Sequence, residues 1–295
     1  MARIVCVHGV GQQVRGEDSL AGEWALALRD GMRRAGCAEA ELPGAGEIRC
    51  MFYGDVFRPA GRRLAVGDPW LTAADATEFD HELLAAWWRG AAESDPRVVR
   101  PGARTLARTP GGVQAALRAL SGSAFFAGLA DRVMLSDLQQ VRRYMTDPQV
   151  RPAVLDRVAA GVGGDTRVVV GHSLGSVVAY EALCAHPEWP VRALVTLGSP
   201  LGIRNLIFDR LVPAPALEGA GGVRGGWPGG VRSWVNVADA GDVVAMVKDL
   251  RPLFGGEVAC YLVRNGSHAH DVRPYLTAAE TGAAVAAGLA TGPGE

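Results

Sequence analysis

Six short apolar runs punctuate the chain: RIVCV (3–7), IRCMFY (48–53), RVVVG (167–171), RALVTLG (192–198), RSWVNVA (232–238) and VACYLV (258–263). They are rich in Val and do not alternate strictly between apolar and polar, which is the pattern of strands covered on both faces. Between them apolar residues recur at helical spacing, most clearly over 19–35, 148–160, 175–186 and 272–288. Strands alternating with helices predict an α/β fold with a mostly parallel central sheet of about six strands, flanked by helices.

Two stretches depart from that rhythm. From Asp55 to about Asp147 the strand signal disappears, and FDHELLAAWWRGAAE and SAFFAGLADRVMLSDLQQVRRYM read as helices. This segment is expected to be a helical insertion or cap on a single domain, with Trp87, Trp88, Phe125 and Phe126 as packing residues. LVPAPALEGAGGVRGGWPGG (211–230) holds too much Gly and Pro for a helix or central strand. A loop of that length in a compact domain is usually functional. Together with the helices it is expected to cover an apolar pocket.

Composition narrows the functional classes. Thirty basic against 31 acidic residues leave a formal charge of −1, with no pull toward nucleic acid or an anionic surface. The five cysteines, Cys6, Cys37, Cys50, Cys184 and Cys260, are widely spaced and form no CxxC pair, which argues against a disulfide framework or a zinc site. Cys6 and Cys260 fall inside apolar runs and read as small buried hydrophobes. No apolar run reaches the length of a membrane span. The first strand starts at Arg3 and leaves no room ahead of it for a secretory leader, so a cytoplasmic location is expected. No metal or organic cofactor is called for.

The chemistry gathers around RVVVGHSLGSVVAYEAL, residues 167–183. Gly171-His172-Ser173-Leu174-Gly175 fits G-x-S-x-G, in which a nucleophilic serine sits on a sharp turn from strand to helix. The pattern alone is weak in a chain with 39 glycines, but here a strand signal precedes it and a helix signal follows. The helix also points its positive end at the turn, where negative charge would develop.

A serine hydroxyl needs a base, and the base an orienting acid, both from later in the chain. His172 flanks the serine and is expected to point away from it, while His186 ends a helix beside Pro187 and reads as a surface residue. His268 and His270, in RNGSHAHDVRPYL after the last strand, are the rival bases, with His270 preferred. SWVNVADAGDVVAMV offers Asp242 as the acid and Asp239 as the fallback. The oxyanion donors are expected to be the amides of Leu174 and of Val10, the latter in His8-Gly9-Val10-Gly11 after the first strand. A phosphate-binding turn is the competing reading of that glycine loop, but its third glycine and a Lys-Ser/Thr pair are missing.

Taken together, HGVG, GHSLG, TLGSPLG, NVADAGDVVA and SHAHDVRPYL resemble the motifs of the α/β-hydrolase family, among its lipase- and esterase-like serine hydrolases. They span residues 8 to 276 in the family's order. The resemblance implies an α/β-hydrolase fold and an acyl-enzyme on Ser173, hence a small ester or acyl substrate, and places Ser199 beside it. About six strands, where eight are usual in the family, leave the strand order open. The same residues serve thioesterases, lactonases and amide hydrolases, and a hydrolase fold can also survive as an interaction module without turnover.

Overall fold

The computed structural model describes residues 2–58, 73–102, 108–121, 123, 131–219, 222–266 and 269–290. In chain order the elements are β1 (Ile4–Val7), α1 (Glu17–Arg34), β2 (Ile48–Met51), α2 (Glu78–Ser94), α3 (Pro110–Ser121), α4 (Asp131–Thr146), α5 (Val150–Ala159), β3 (Val168–His172), α6 (Leu174–Ala185) and β4 (Ala193–Leu197). They continue with β5 (Ala216–Leu217), β6 (Val223–Arg224), β7 (Ser233–Asp239), α7 (Arg251–Phe254), β8 (Ala259–Val263), α8 (Val272–Leu276) and α9 (Ala279–Leu289).

Six strands form one parallel sheet in the order β2-β1-β3-β4-β7-β8, and helices cover both faces, which is the α/β-hydrolase arrangement. Every residue of β1, β3 and β4 is buried, as their continuous apolar sequence requires. Side chains still alternate: Val5, Val7 and Val169 face the core under α2–α6, whereas Ile4, Cys6, Val168 and Val170 face the core under α1, α8 and α9.

The chain runs outward from β1 to β2, then returns across β1 to β3 and proceeds the other way. That reversal lies between β1 and β3. Ligands of open parallel sheets bind outside the carboxyl ends of the strands at such a reversal. His8-Gly9-Val10 follows β1 and Ser173 follows β3, so both motifs emerge at this crevice.

Between β2 and β3 the described residues contain no strand, and α2, α3 and α4 pack over one face of the sheet. Phe125 and Phe126 lie outside the described residues. Trp88 is buried with its indole N–H donating to the Val99 carbonyl at 2.8 Å. The layer is tied to the sheet through Glu181 of α6, which is 1% exposed. Its carboxylate accepts from the Tyr144 hydroxyl of α4 and from the Val212 amide at 2.9 Å, with Arg151 of α5 at 3.6 Å.

Two expectations change. The helix expected over 272–288 is two helices, broken at Thr277–Ala278, where Ala278 adopts an extended conformation and the Thr281 hydroxyl caps the Tyr275 carbonyl at 2.7 Å. The break lets α8 aim Tyr275 at the end of β7 while α9 lies against α1. The Gly/Pro-rich stretch 211–230 carries the small antiparallel pair β5–β6, and its described residues do not line the cavity over Ser173. It is anchored elsewhere, by Gly225 N–H to the Leu253 carbonyl at 2.9 Å and by the Tyr180 hydroxyl to the Gly226 carbonyl at 2.8 Å. No helix of the described residues is long and apolar enough to cross a membrane.

Replacing Glu181 by Leu leaves the buried Tyr144 hydroxyl without its acceptor and removes the carboxylate that Arg151 and the Val212 amide share. We expect a loss of about 3 kcal/mol of stability, read as a lower urea midpoint with an unchanged slope. An unaltered midpoint would show that the layer is held by apolar packing alone.

Candidate active site

Ser173 stands between β3 and α6 at φ 53° and ψ −129°, a left-handed conformation that costs a side-chain-bearing residue about 1–3 kcal/mol. Packing enforces it. A Cβ at Gly175 would collide with the carbonyl oxygens of Val7 and His8, so only glycine lets the first turn of α6 ride this close to β1. The Ser173 amide donates to the Leu197 carbonyl at 2.9 Å, and the Ser176 hydroxyl donates to the Ser173 carbonyl at 2.6 Å. The turn is thereby pinned on both sides.

His270 meets this serine from the loop after β8, with Nε2 2.9 Å from Ser173 Oγ. Its Nδ1 lies 2.8 Å from Asp242 Oδ2. Since an ionised carboxylate only accepts, Nδ1 carries the proton and Nε2 is left bare toward the serine. Asp242 is 1% exposed, yet its oxygens are fully engaged. Oδ1 accepts the amides of Val244 at 2.8 Å and Ala245 at 3.2 Å, and Oδ2 also accepts the Tyr275 hydroxyl at 2.7 Å. Burial pushes this carboxyl up, but the charge and hydrogen bond of His270, the Tyr275 bond and the charge of Lys248 together bring it below the ordinary carboxylate range. Asp242 is therefore an anion wherever the protein is folded near neutrality.

Asp239, the alternative acid, does something else. Its Oδ1 accepts the Gly241 amide at 2.7 Å and its Oδ2 the Asn265 amide, which ties the turn after β7 to the end of β8. His268 lies outside the described residues. Ser199 is buried, with its hydroxyl donating to Ser176 Oγ at 2.7 Å and accepting from the Leu201 amide at 3.3 Å. Pro200, its neighbour, lines the cavity instead. His186 stacks on Trp189 at 4.3 Å and bonds Glu188, away from the site.

Nothing in the sequence assigns a role to several supporting residues. Tyr275 donates to Asp242 and accepts from the Asp239 amide at 2.8 Å, so one hydroxyl fixes the acid and the strand end together. Lys248, the only lysine in the chain, donates to the Asp242 carbonyl. Gly198 lies at φ 54°, and a Cβ there would sit 2.9 Å from Asp242 Oδ2 and 3.2 Å from His270 Nδ1. The glycine of TLGSPLG thus leaves room for the acid–base pair.

No family model matches the chain, and no curated protein matches it. Among solved structures it is similar to the crystal structure of esterase LipW from Mycobacterium marinum, with a TM-score of 0.38, 13% identity, and coverage of 98% of this chain and 74% of that one.

Two further histidines back the site as neutral groups. His172 packs its ring 4.8 Å from that of His270, and its Nε2–H donates to the His270 carbonyl at 3.0 Å. Burial, reinforced by the charge of His270, pushes His172 down to about 3. His8 stacks on Tyr53 at 4.1 Å, accepts the Tyr53 amide at Nε2 and donates from Nδ1 to the Gly9 carbonyl at 2.7 Å. Burial drives it down to about 4 against the pull of that carbonyl and of Asp55. The Tyr53 hydroxyl donates to the His8 carbonyl, which completes the brace under the His8-Gly9-Val10 loop.

A cavity of about 440 Å³ opens over the serine. Val10 and Leu174 line it, and Leu174 begins α6, so its amide has no acceptor within the helix. The remaining wall is largely apolar, with Trp24 from α1, Leu83 and Trp87 from α2, and Met134 and Val141 from α4. Among the described residues no group of three or more His, Cys, Asp or Glu is placed to hold a metal ion.

His172 gives the site a pH signature. An unfolded chain protonates this imidazole near 6.5, the fold only near 3. Between those values the unfolded state holds one more proton, so this group's contribution to stability is lost as pH falls. Asp137, pushed up to about 7 by burial, acts in the opposite direction but is common to wild type and variant. From about pH 6 to pH 4, stability of His172→Gln should fall less steeply than wild type by about 1.4 kcal/mol per pH unit. Parallel curves from denaturation at each pH would contradict a buried neutral His172.

Proposed function

We propose that the protein is a serine hydrolase that cleaves carboxylic esters of small or medium acyl groups through an acyl-enzyme. The observation that carries this reading is the unbroken hydrogen-bond series from Ser173 Oγ through both nitrogens of His270 to a buried Asp242, with the serine on a strained turn at the mouth of an apolar cavity.

In the first step Ser173 Oγ attacks the ester carbonyl while His270 Nε2 takes the hydroxyl proton. The imidazolium that forms is stabilised by Asp242, whose other hydrogen bonds keep it ionised and immobile. The carbonyl oxygen becomes an oxyanion and receives the amides of Leu174 and Val10, with the N-terminus of α6 directed at the same point. Collapse expels the alcohol, which leaves with the proton held on His270. A water then attacks the acyl-Ser173 carbonyl with His270 again as base, and the acid product departs.

The cavity volume lies in the range usual for small-molecule sites, and the apolar part of its wall suits an acyl chain. Hydrolysis of short-chain p-nitrophenyl esters should fall by about a thousandfold or more in Ser173→Ala, His270→Ala and Asp242→Asn, with His268→Ala still active. Turnover that survives Ser173→Ala would remove the proposal, and loss in His268→Ala but not in His270→Ala would move the base.

A further inference from the structure

One polar group on the cavity wall has no role in the chemistry above. Asp137, on α4, lines the same cavity as Ser173, His270 and Val10. Its Oδ1 is closed off from solvent and has no hydrogen-bond partner. It faces Gly11, whose missing Cβ would lie 3.2 Å away, and this glycine at φ 79° is what admits the carboxyl beside the loop after β1. The residue as a whole is only half-buried and borders the open cavity.

Among the described residues, none donates a hydrogen bond to Asp137 Oδ1. Gln12 also lines the cavity; its Nε2 donates to the Val10 carbonyl at 3.3 Å, which leaves a buried Oε1 without a partner. On α4, Gln140 Oε1 accepts the Gly11 amide at 3.3 Å and the Ser136 hydroxyl accepts from Gln13 Nε2 at 3.1 Å, so these neighbours have their own contacts. His270, on the same cavity, is bonded to Ser173 and Asp242. A buried carboxyl oxygen that no described residue bonds is costly unless something bound there donates to it.

Building on the ester-hydrolase reading, we propose that Asp137 is a specificity determinant that receives a hydrogen-bond donor, a hydroxyl or an ammonium, carried on the substrate away from the scissile bond. The natural substrate is then an amphipathic ester, apolar along most of its length and bearing a donor where it reaches α4. Burial pushes the Asp137 carboxyl up to about 7, so near neutral pH it exists in both forms. The anion accepts from either donor. The neutral acid keeps a hydroxyl partner but holds an ammonium less tightly.

The test compares p-nitrophenyl esters matched in length whose acyl chains end in a methyl, hydroxyl or ammonium group, on wild type, Asp137→Asn and Asp137→Leu. Wild type should favour one donor-bearing ester over its methyl counterpart by about tenfold or more in kcat/KM, carried by KM. Asp137→Asn should lose any ammonium preference and keep part of a hydroxyl preference, and Asp137→Leu should abolish both. Equal ratios in wild type and Asp137→Leu would overturn the assignment. Binding of an alkylammonium and an alkanol to Ser173→Ala, followed by fluorescence of Trp24 and Trp87 in the cavity wall, reads the same contact without turnover. A donor preference there that vanishes with Asp137→Leu sustains the proposal even if no ester is cleaved, in which case the hydrolase reading alone fails. Absence of that preference removes Asp137's role even in an active esterase.

Discussion

The close approach of α6 to β1 at Gly175 is the contact on which the rest of the site depends. Because the helix begins against the Val7 and His8 carbonyls, the chain leaving β3 has no room for an ordinary turn, and Ser173 is forced to positive φ. The strain lifts the hydroxyl out of the sheet, puts the Leu174 amide at the start of a helix, and brings the loop after β1 alongside. One steric constraint therefore sets the proposed nucleophile and both proposed oxyanion donors at a common point.

The electrostatic design around that point is a buried anion surrounded by neutral groups. Asp242 is held ionised by two amides, a tyrosine hydroxyl and His270, so its charge is directed at one imidazole. His172 and His8 lie close enough to compete for a proton, and burial keeps both of them neutral near pH 7. In the proposed reaction the positive charge would thus fall on His270, the ring that touches the serine. Tyr275 links this arrangement to the fold, since its hydroxyl bonds the acid and the backbone of β7 at once.

What could be read from the sequence follows from what is local in it. The strands were legible because a run such as VVV or ALVTL, buried on both faces, cannot hide its composition, and the elbow because its G-x-S-x-G pattern sits directly between a strand run and a helix run. Asp242 and Asp239 share one turn and one composition; what separates them is that Asp239 meets the amides of Gly241 and Asn265, whereas Asp242 meets His270 and Tyr275, and those meetings are made by tertiary packing. Nothing in the sequence assigns a role to Tyr275 and Lys248, as a tyrosine and a lysine at these positions read equally as core and surface. The break at Thr277–Ala278 escaped because both halves keep helical periodicity, and the polarity of 211–230 says nothing of which end of the sheet it covers. His268 falls outside the described residues, so its rivalry with His270 is decided by experiment.

The central claim is that Ser173 is an activated nucleophile. Labelling of the folded protein by a fluorophosphonate probe, with intact-mass detection and peptide mapping, tests it without assuming a substrate. The account predicts a single adduct on Ser173 that is absent from Ser173→Ala and formed far more slowly in His270→Ala. A folded wild type that acquires no adduct, or acquires it on another residue, would contradict it and leave a hydrolase fold acting as an interaction module.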